Sequence, residues 1–213
     1  MVRYGLRDRR AAHPAGPEDL VSVLMAATPD GAELSDLRFR MFLFLLAAAG
    51  SETTRNAISQ GILALAEHPD QWQRLAEDPG LIPAAVEEIL RWASPVLYFR
   101  RNVIQSLEVA GQPINQGEAV SLWYVSANRD ETRFAAPHEF DVGRDPNPHV
   151  AFGGGGPHFC LGASLARLEL RVVLEELVSR YQAVEVTGQV ERLRSNFLNG
   201  IKHLPIRFTS WTG

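Results

Sequence analysis

The stretch Phe152-Gly-Gly-Gly-Gly-Pro-His-Phe-Cys160-Leu-Gly162 holds the only cysteine of the 213-residue chain, set after four consecutive glycines and before an amphipathic helical pattern. Three chemistries compete for it. A phosphate cradle fails, because GxGxxG started at Gly153 or Gly154 meets His158 or Phe159 where its third glycine belongs, and no Lys-Ser/Thr pair follows. A structural zinc site needs four ligands, and His158-x-Cys160 has no second close pair. A single thiolate suits an iron whose other equatorial ligands come from a macrocycle, that is, a haem. The ordinary fate of a lone buried cysteine is an inert small side chain, but four glycines leading into a helix start with cysteine at the junction argue against it.

Elementary electrostatics points the same way. Unpaired N–H groups and the positive end of the dipole at a helix start near Gly162 favour a thiolate at Cys160. Glycine has no Cβ to keep backbone away from a flat ring, and Gly162 leaves room for amides to turn toward the sulfur. His158 is placed to donate to a haem propionate.

The remaining elements must position this stretch. Pro17 opens a short helix over 17–27, and Thr28-Pro-Asp-Gly31 forms a turn. Ser35 caps a long helix over 35–67, stopped by His68-Pro69. Its residues 39–49 are apolar nearly all round and are expected to be buried. The pattern then breaks at Gly50, Glu52, Thr53 and Thr54, where Gly costs about 1 kcal/mol relative to Ala. Close packing at Gly50 explains the small residues, but a carboxylate beside paired threonines hints at a site. Short helices follow over 70–77 and 83–92. In the second, Glu88 and Arg91 share a face, and on their own they read as a solvated pair worth a few tenths of a kcal/mol.

Strand-like pieces cover 96–103 and 121–125, with a hairpin within 106–120. Residues 128–134 suggest a helical turn and 135–148 a long ordered loop. Helix 162–182 shows Leu161, Leu165, Leu168 and Val172 at helical spacing. Short strands over 184–209 surround Asn199-Gly200, a hairpin tip. The expected class is therefore mainly α with small β-sheets, with an uncommitted segment over 1–16 and one body over 17–213.

Bulk properties narrow the partners. Against 25 Asp+Glu stand 21 Lys+Arg, a net charge of −4 that gives no reason to expect nucleic acid or an anionic membrane. One cysteine excludes an internal disulfide. The longest apolar run, 41–49, is too short for a membrane span, and residues 1–10 lack the apolar core of a secretory signal. A cytoplasmic location is expected.

Taken together these stretches resemble the haem-thiolate monooxygenases, the cytochrome P-450 superfamily. Ala49-Gly50-Ser51-Glu52-Thr53-Thr54 is similar to the oxygen-activation motif of the central helix. Glu88-x-x-Arg91 resembles the family's Glu-x-x-Arg helix, and Phe140-Asp141-x-x-Arg144 the segment whose arginine joins that pair. Gly156-Pro-His158-Phe-Cys160-Leu-Gly162 resembles the haem loop. All four occur in the family's order, and the likeness runs from about Pro17 to the C-terminus. The fold it implies is cytochrome P-450-like with the N-terminal half missing, since the family is about twice this size and no Trp-x-x-x-Arg occurs.

The resemblance implies roles by position. Cys160 is the metal ligand of haem b (iron protoporphyrin IX). Phe152, Gly153, Gly162 and Ala49 lie at the cofactor, with Arg101 and His158 on its propionates and Arg100 as a second candidate. Thr53 and Glu52 deliver protons to dioxygen. Glu88, Arg91 and Arg144 form a buried structural brace, which overturns the solvated-pair reading. Ala48, Val96, Leu97, Phe99 and Leu198 line an apolar substrate site. Electrons come from NAD(P)H through a ferredoxin and its reductase. The glycine-rich loop, with Asn147-Pro148-His149 before it, is similar to bacterial members that act on sterols and methyl-branched lipids, including the Phe152–Cys160 spacing one residue longer than usual. The implied function is monooxygenation of a hydrophobic small molecule. The alternative is a haem-binding segment without turnover.

Overall fold

The computed structural model of the chain describes residues 35–211, so the segment 1–16, the helix expected over 17–27 and the turn over 28–31 lie outside them. The chain divides after Ala49 into two compact units. In the first, the described residues are the opening part of helix α1 (Asp36–Glu67). Ser35 starts it: its carbonyl accepts the Phe39 N–H at 3.0 Å and its hydroxyl lies 3.4 Å from the Arg38 nitrogen, as an N-cap should. The burial expected over 39–49 is only partly present. Phe39 is buried, but Met41, Phe44 and Leu45 are 58, 69 and 58% exposed. An apolar pattern on every face calls for neighbours on every face, and these faces stand open.

In the second unit α1 runs on to its stop at His68. There the backbone N–H and ring Nδ1 both reach the Ala64 carbonyl, at 3.0 and 2.7 Å, and Pro69, with no N–H to give, begins α2 (Pro69–Glu77). A single 3₁₀ turn, Pro79–Leu81, is closed by Asp78 accepting from the Gly80 N–H at 2.9 Å. Helix α3 (Ile82–Ala93) ends on Ser94 in the left-handed region, φ 38°. That conformation is costly without glycine. Three bonds hold it: Ser94 N–H to the Leu90 carbonyl (3.1 Å), Ser94 Oγ to the Arg91 carbonyl (2.9 Å), and Asn128 Nδ2 to Ser94 Oγ (2.9 Å).

β1 (Tyr98–Asn102) pairs antiparallel with β4 (Ala119–Trp123), Phe99 opposite Leu122 and Arg101 opposite Val120. Between them β2 (Leu107–Val109) and β3 (Gln112–Ile114) form the expected hairpin, its turn at Ala110 (φ 49°) and Gly111 (φ 81°). Two positive φ values match the twist of paired strands. Where a strand is expected through 125, β4 instead gives way to the short helix α4 (Tyr124–Ala127). Residues 128–134 form hydrogen-bonded turns. Helix α5 (Ala163–Arg180) leads into β5 (Tyr181–Val186), which pairs with β8 (Ile206–Ser210), while β6 (Glu191–Arg192) pairs with β7 (Ile201–His203). Asn199-Gly200 is not a two-residue tip. It closes the wider connection 193–200, with Leu193 N–H bonded to the Gly200 carbonyl at 2.9 Å.

The core joins Ala57 and Leu65 of α1, Leu75 of α2, Ile89 of α3 and Leu170 and Leu174 of α5, and the 135–148 loop adds Phe140 and Val142. On α5 the spacing that signals the helix marks its outer stripe: Leu161, Leu165, Leu168 and Val172 are exposed, and Ala163, Leu170, Leu174 and Val178 face inward. Periodicity identifies a helix but cannot choose between two apolar stripes. The result is the mainly α fold with small two-stranded sheets that the sequence leads to expect. Among the described residues no helix is long and apolar enough to cross a membrane.

At Gly61, α1 meets α3 so closely that a Cβ would lie 2.8 Å from Ile89 Cγ2 and 2.9 Å from Cδ1. Ile89 is itself buried and cannot swing away. Gly61→Ala should therefore destabilise the chain by about 1–3 kcal/mol despite alanine's better helix propensity. Adding Ile89→Ala should cancel most of that increment in a urea-unfolding double-mutant cycle. Strictly additive losses would show that the two positions do not meet.

Candidate functional site

The loop before α5 is built on glycine conformations. Gly153, Gly155 and Gly156 have φ of +93°, +98° and +75°, values that exclude most side chains. The loop folds back so that Cys160 N–H reaches the Phe152 carbonyl at 3.0 Å, while Phe159 N–H bonds Gly156 O (3.0 Å) and Ala163 N–H bonds Cys160 O (3.2 Å). The Cys160 thiol is exposed, and Phe159 and Leu161 beside it are exposed apolar groups. A Cβ on Gly162 would sit 4.0 Å from the sulfur, and Gly154, Gly155 and Gly156 border open space. An accessible soft donor ringed by apolar side chains and bare backbone fits a flat, largely apolar macrocycle carrying its own four ligands. Among the described residues no three His, Cys, Asp or Glu are grouped to hold a bare ion.

Behind the loop lies a buried charge cluster. Glu88 and Arg91 are both fully buried, so the solvated-pair reading of their spacing is wrong. Arg91 places Nε on Glu88 Oε2 and Nη2 on Oε1, each at 2.7 Å. Its remaining N–H groups go to the carbonyls of Asn128 (2.9 Å), Pro137 (2.8 Å) and Glu139 (3.0 Å). Arg144 adds Nε to Glu88 Oε2 at 3.0 Å and spends its other donors on the carbonyls of Ala135, Ala136 and Glu139. Asp141 N–H and Asn147 Nδ2 complete the acceptor capacity of Glu88, at 3.0 and 3.1 Å. The 135–148 loop is thereby tied to α3.

Glu87, the neighbouring carboxylate, was not singled out by spacing. It accepts from His149 Nε2 (2.9 Å) and, through both oxygens, from Arg167 Nε (2.7 Å) and Nη2 (2.9 Å). Burial alone would push its carboxyl up; the hydrogen bonds of His149 and Arg167, with the Arg167 charge, more than reverse this and bring it to about 2. Arg167 is held above its usual range, first by the Glu87 hydrogen bond against the opposing effect of burial, with further support from the charges of Glu87 and Cys160. The adjacent Glu87-Glu88 pair on a helix with one apolar face is the signal that could have found it.

The segments expected at the substrate meet. Val96 and Leu198 form an antiparallel bridge, Leu97 N–H bonds the Phe197 carbonyl at 2.9 Å, and Asn199 N–H bonds the Pro95 carbonyl at 2.9 Å. The rings of Phe99 and Phe197 stand 5.7 Å apart, edge to face. A polar anchor that the sequence did not reveal holds this tip: Gln60 Nε2 donates to Asn199 Oδ1 (3.1 Å), and Asn199 Nδ2 to the Ala93 carbonyl (2.6 Å). Arg101 is exposed on β1, its guanidinium 5.9 Å from the Phe99 ring and donating to the Arg100 carbonyl at 3.1 Å. His158 is also exposed. On α1, Ala48 and Ala49 are exposed residues of the first unit, while Glu52 and Thr53 are half-buried in the second. The Glu52 carboxylate is paired with Arg55.

A family profile described as Cytochrome P450 matches residues 5–79 and 80–207. The chain is 52% identical over 203 residues to a Mycobacterium bovis protein named methyl-branched lipid omega-hydroxylase, covering 95% of this chain and 47% of that one. It is 41% identical over 211 residues to a Mycolicibacterium smegmatis steroid C26-monooxygenase, covering 98% and 48%. Among solved structures, a Mycobacterium marinum cytochrome P450 in complex with pseudoionone superposes with a TM-score of 0.88 at 43% identity, over 95% of this chain and 49% of that one. The chain thus spans about half the length of the curated relatives it matches.

Two outcomes follow from the paired carboxylates. Glu88→Gln strands two guanidinium groups in the interior and should cost about 3–5 kcal/mol in urea unfolding. Glu87 behaves differently with pH. Its unfolded-state value of 4.5 lies above its folded value of about 2, so its stabilisation is complete above the former and lost as pH falls through the latter. The stability gap between the parent and Glu87→Gln should shrink from about pH 5 to about pH 2, by at most about 3 kcal/mol at 1.4 kcal/mol per pH unit. A gap that stays constant over that range would show the carboxyl is not held down.

Proposed function

The chain belongs to the cytochrome P450 family, and from that premise we propose that it forms the haem-binding part of a monooxygenase that inserts one oxygen atom from O2 into an apolar lipid or sterol. The observation that carries the proposal is the exposed Cys160 thiol, presented by a positive-φ glycine loop at the start of α5. Bound haem b supplies an iron that activates dioxygen with two electrons, and thiolate ligation favours O–O cleavage.

The chain's own residues do the rest. Cys160 Sγ would ligate the iron, and Phe152, Gly153 and Gly162 would leave room for the ring. Arg101 and His158 would hold the propionates by charge-assisted hydrogen bonds. Thr53 Oγ1 and the Glu52 carboxylate pass protons inward, as positioned acid–base groups. Val96, Leu97, Phe99 and Leu198 offer apolar surface to the substrate. Electrons come from NAD(P)H through a ferredoxin and its reductase, and the cytoplasmic location expected from the sequence belongs to the same proposal. The relatives' names support a lipid or steroid substrate class. A second reading, haem binding without turnover, is favoured by the open apolar surface of Met41, Phe44 and Leu45.

The absorption spectrum of the reduced, CO-treated, haem-loaded chain tests the first reading. A strongly red-shifted Soret band in the parent, lost in Cys160→Ala, is expected. With redox partners and a lipid or sterol supplied, Thr53→Ala should keep haem while sending more of the reducing equivalents to peroxide. Equal coupling in parent and variant would remove Thr53 from proton delivery.

A further inference from the structure

We propose that Glu87, His149 and Arg167 form a clasp that positions the Cys160 loop, independently of the Glu88 cluster. The inference takes its purpose from the haem reading, but its geometry stands without it. His149 precedes the loop and Arg167 follows it, and one carboxylate grips both. Glu87 Oε2 accepts from His149 Nε2 and Arg167 Nη2, each at 2.9 Å, and Oε1 accepts from Arg167 Nε at 2.7 Å. His149 Nδ1 accepts the Ala151 N–H at 3.2 Å, so the ring's proton lies on Nε2, directed at Glu87.

From there a short chain of contacts reaches the cysteine. The Arg167 guanidinium lies 4.6 Å from the centre of the Phe152 ring, within range of a favourable cation–π contact. The same ring meets His149 at 6.1 Å and Phe159 at 6.4 Å. The Phe152 carbonyl then accepts the Cys160 N–H at 3.0 Å. Each link from Glu87 to Cys160 is thus a bonded or stacked contact. The Glu88 cluster makes its loop contacts at Asp141, Arg144 and Asn147, all upstream of His149. The clasp meets a specific need. With three positive-φ glycines in the loop, its unfastened backbone has many conformations to sample, and a donor atom must be held within about 0.5 Å of its working position. Glu87, His149 and Arg167 are positioning residues in this sense.

Hydrogen exchange on the full haem-free chain tests the clasp directly. In Glu87→Gln the amides of Phe159 and Cys160 should exchange at least about tenfold faster, while those of α1, α2 and the Arg144 segment keep the parent's protection. Arg167→Lys, which retains charge but loses the fork and the stack, should act alike and serves if Glu87→Gln does not fold. Unchanged loop exchange, or acceleration spread evenly over the whole chain, would overturn the proposal. In the haem-loaded chain the same variants should convert part of the red-shifted CO band to an unshifted one. If the parent itself lacks that band the haem reading fails, and the exchange data still decide on the clasp.

Discussion

A carboxylate with no access to water is intolerable unless its charge and lone pairs are met. Glu88 meets that condition by drawing in two guanidinium groups, a backbone N–H and an amide. Arg91 has all five of its donors in use. Because Glu88 and Arg91 are both fully buried, loss of one partner leaves the other charged and unsolvated. The 135–148 segment contains no helix or strand of its own, yet several of its carbonyls face these arginines. Its order comes from the charge cluster rather than from local propensity.

Helix α3 is accordingly the axis of the second unit. Glu88 holds the long loop, Glu87 holds both ends of the cysteine loop, and Ile89 packs on Gly61 of α1. The left-handed Ser94 at its end binds Asn128, whose Oδ1 accepts the Val150 N–H at 2.8 Å. Consecutive side chains on a helix point about 100° apart, which lets residues 87, 88 and 89 serve three different neighbours. The strained Ser94 is consistent with this: the hydrogen bonds that hold it also fix where the chain enters β1 and where residue 150 begins the cysteine loop.

Much of this was legible in the sequence because it depended on local signals. His68-Pro69 marked a helix end, Pro83 a helix start, Ser35 a cap, and glycines marked the loop. The family resemblance supplied the order of the motifs and the burial of Glu88 and Arg91, which the i, i+3 spacing alone had suggested were solvated. Less was legible where a choice depended on tertiary neighbours. The two apolar stripes of α5 are equivalent by period, and only packing shows that Leu170 and Leu174 are inside and Leu165 and Leu168 outside. The Glu87–His149–Arg167 group joins residues 62 and 80 positions apart, and no short pattern encodes such separations. The Asn199-Gly200 dipeptide signalled a tight tip, but its asparagine is engaged by Gln60 and Ala93, and the turn widened to let it reach them.

The cysteine loop has to be both fixed and uncovered. Apolar packing fixes a segment by burying it, which would hide the thiol and the surface beside it. Directional bonds escape that conflict, because they locate the backbone from one side and leave the other open. Here the inner side carries the Arg167 ion pair, the His149 hydrogen bond to Glu87 and the Phe152 carbonyl bond, whereas Cys160, Leu161 and Phe159 remain exposed. The desolvation that makes buried charges expensive also makes them rigid once satisfied. A loop whose glycines give it little stiffness of its own can in this way present a single sulfur at a defined place with one face left open.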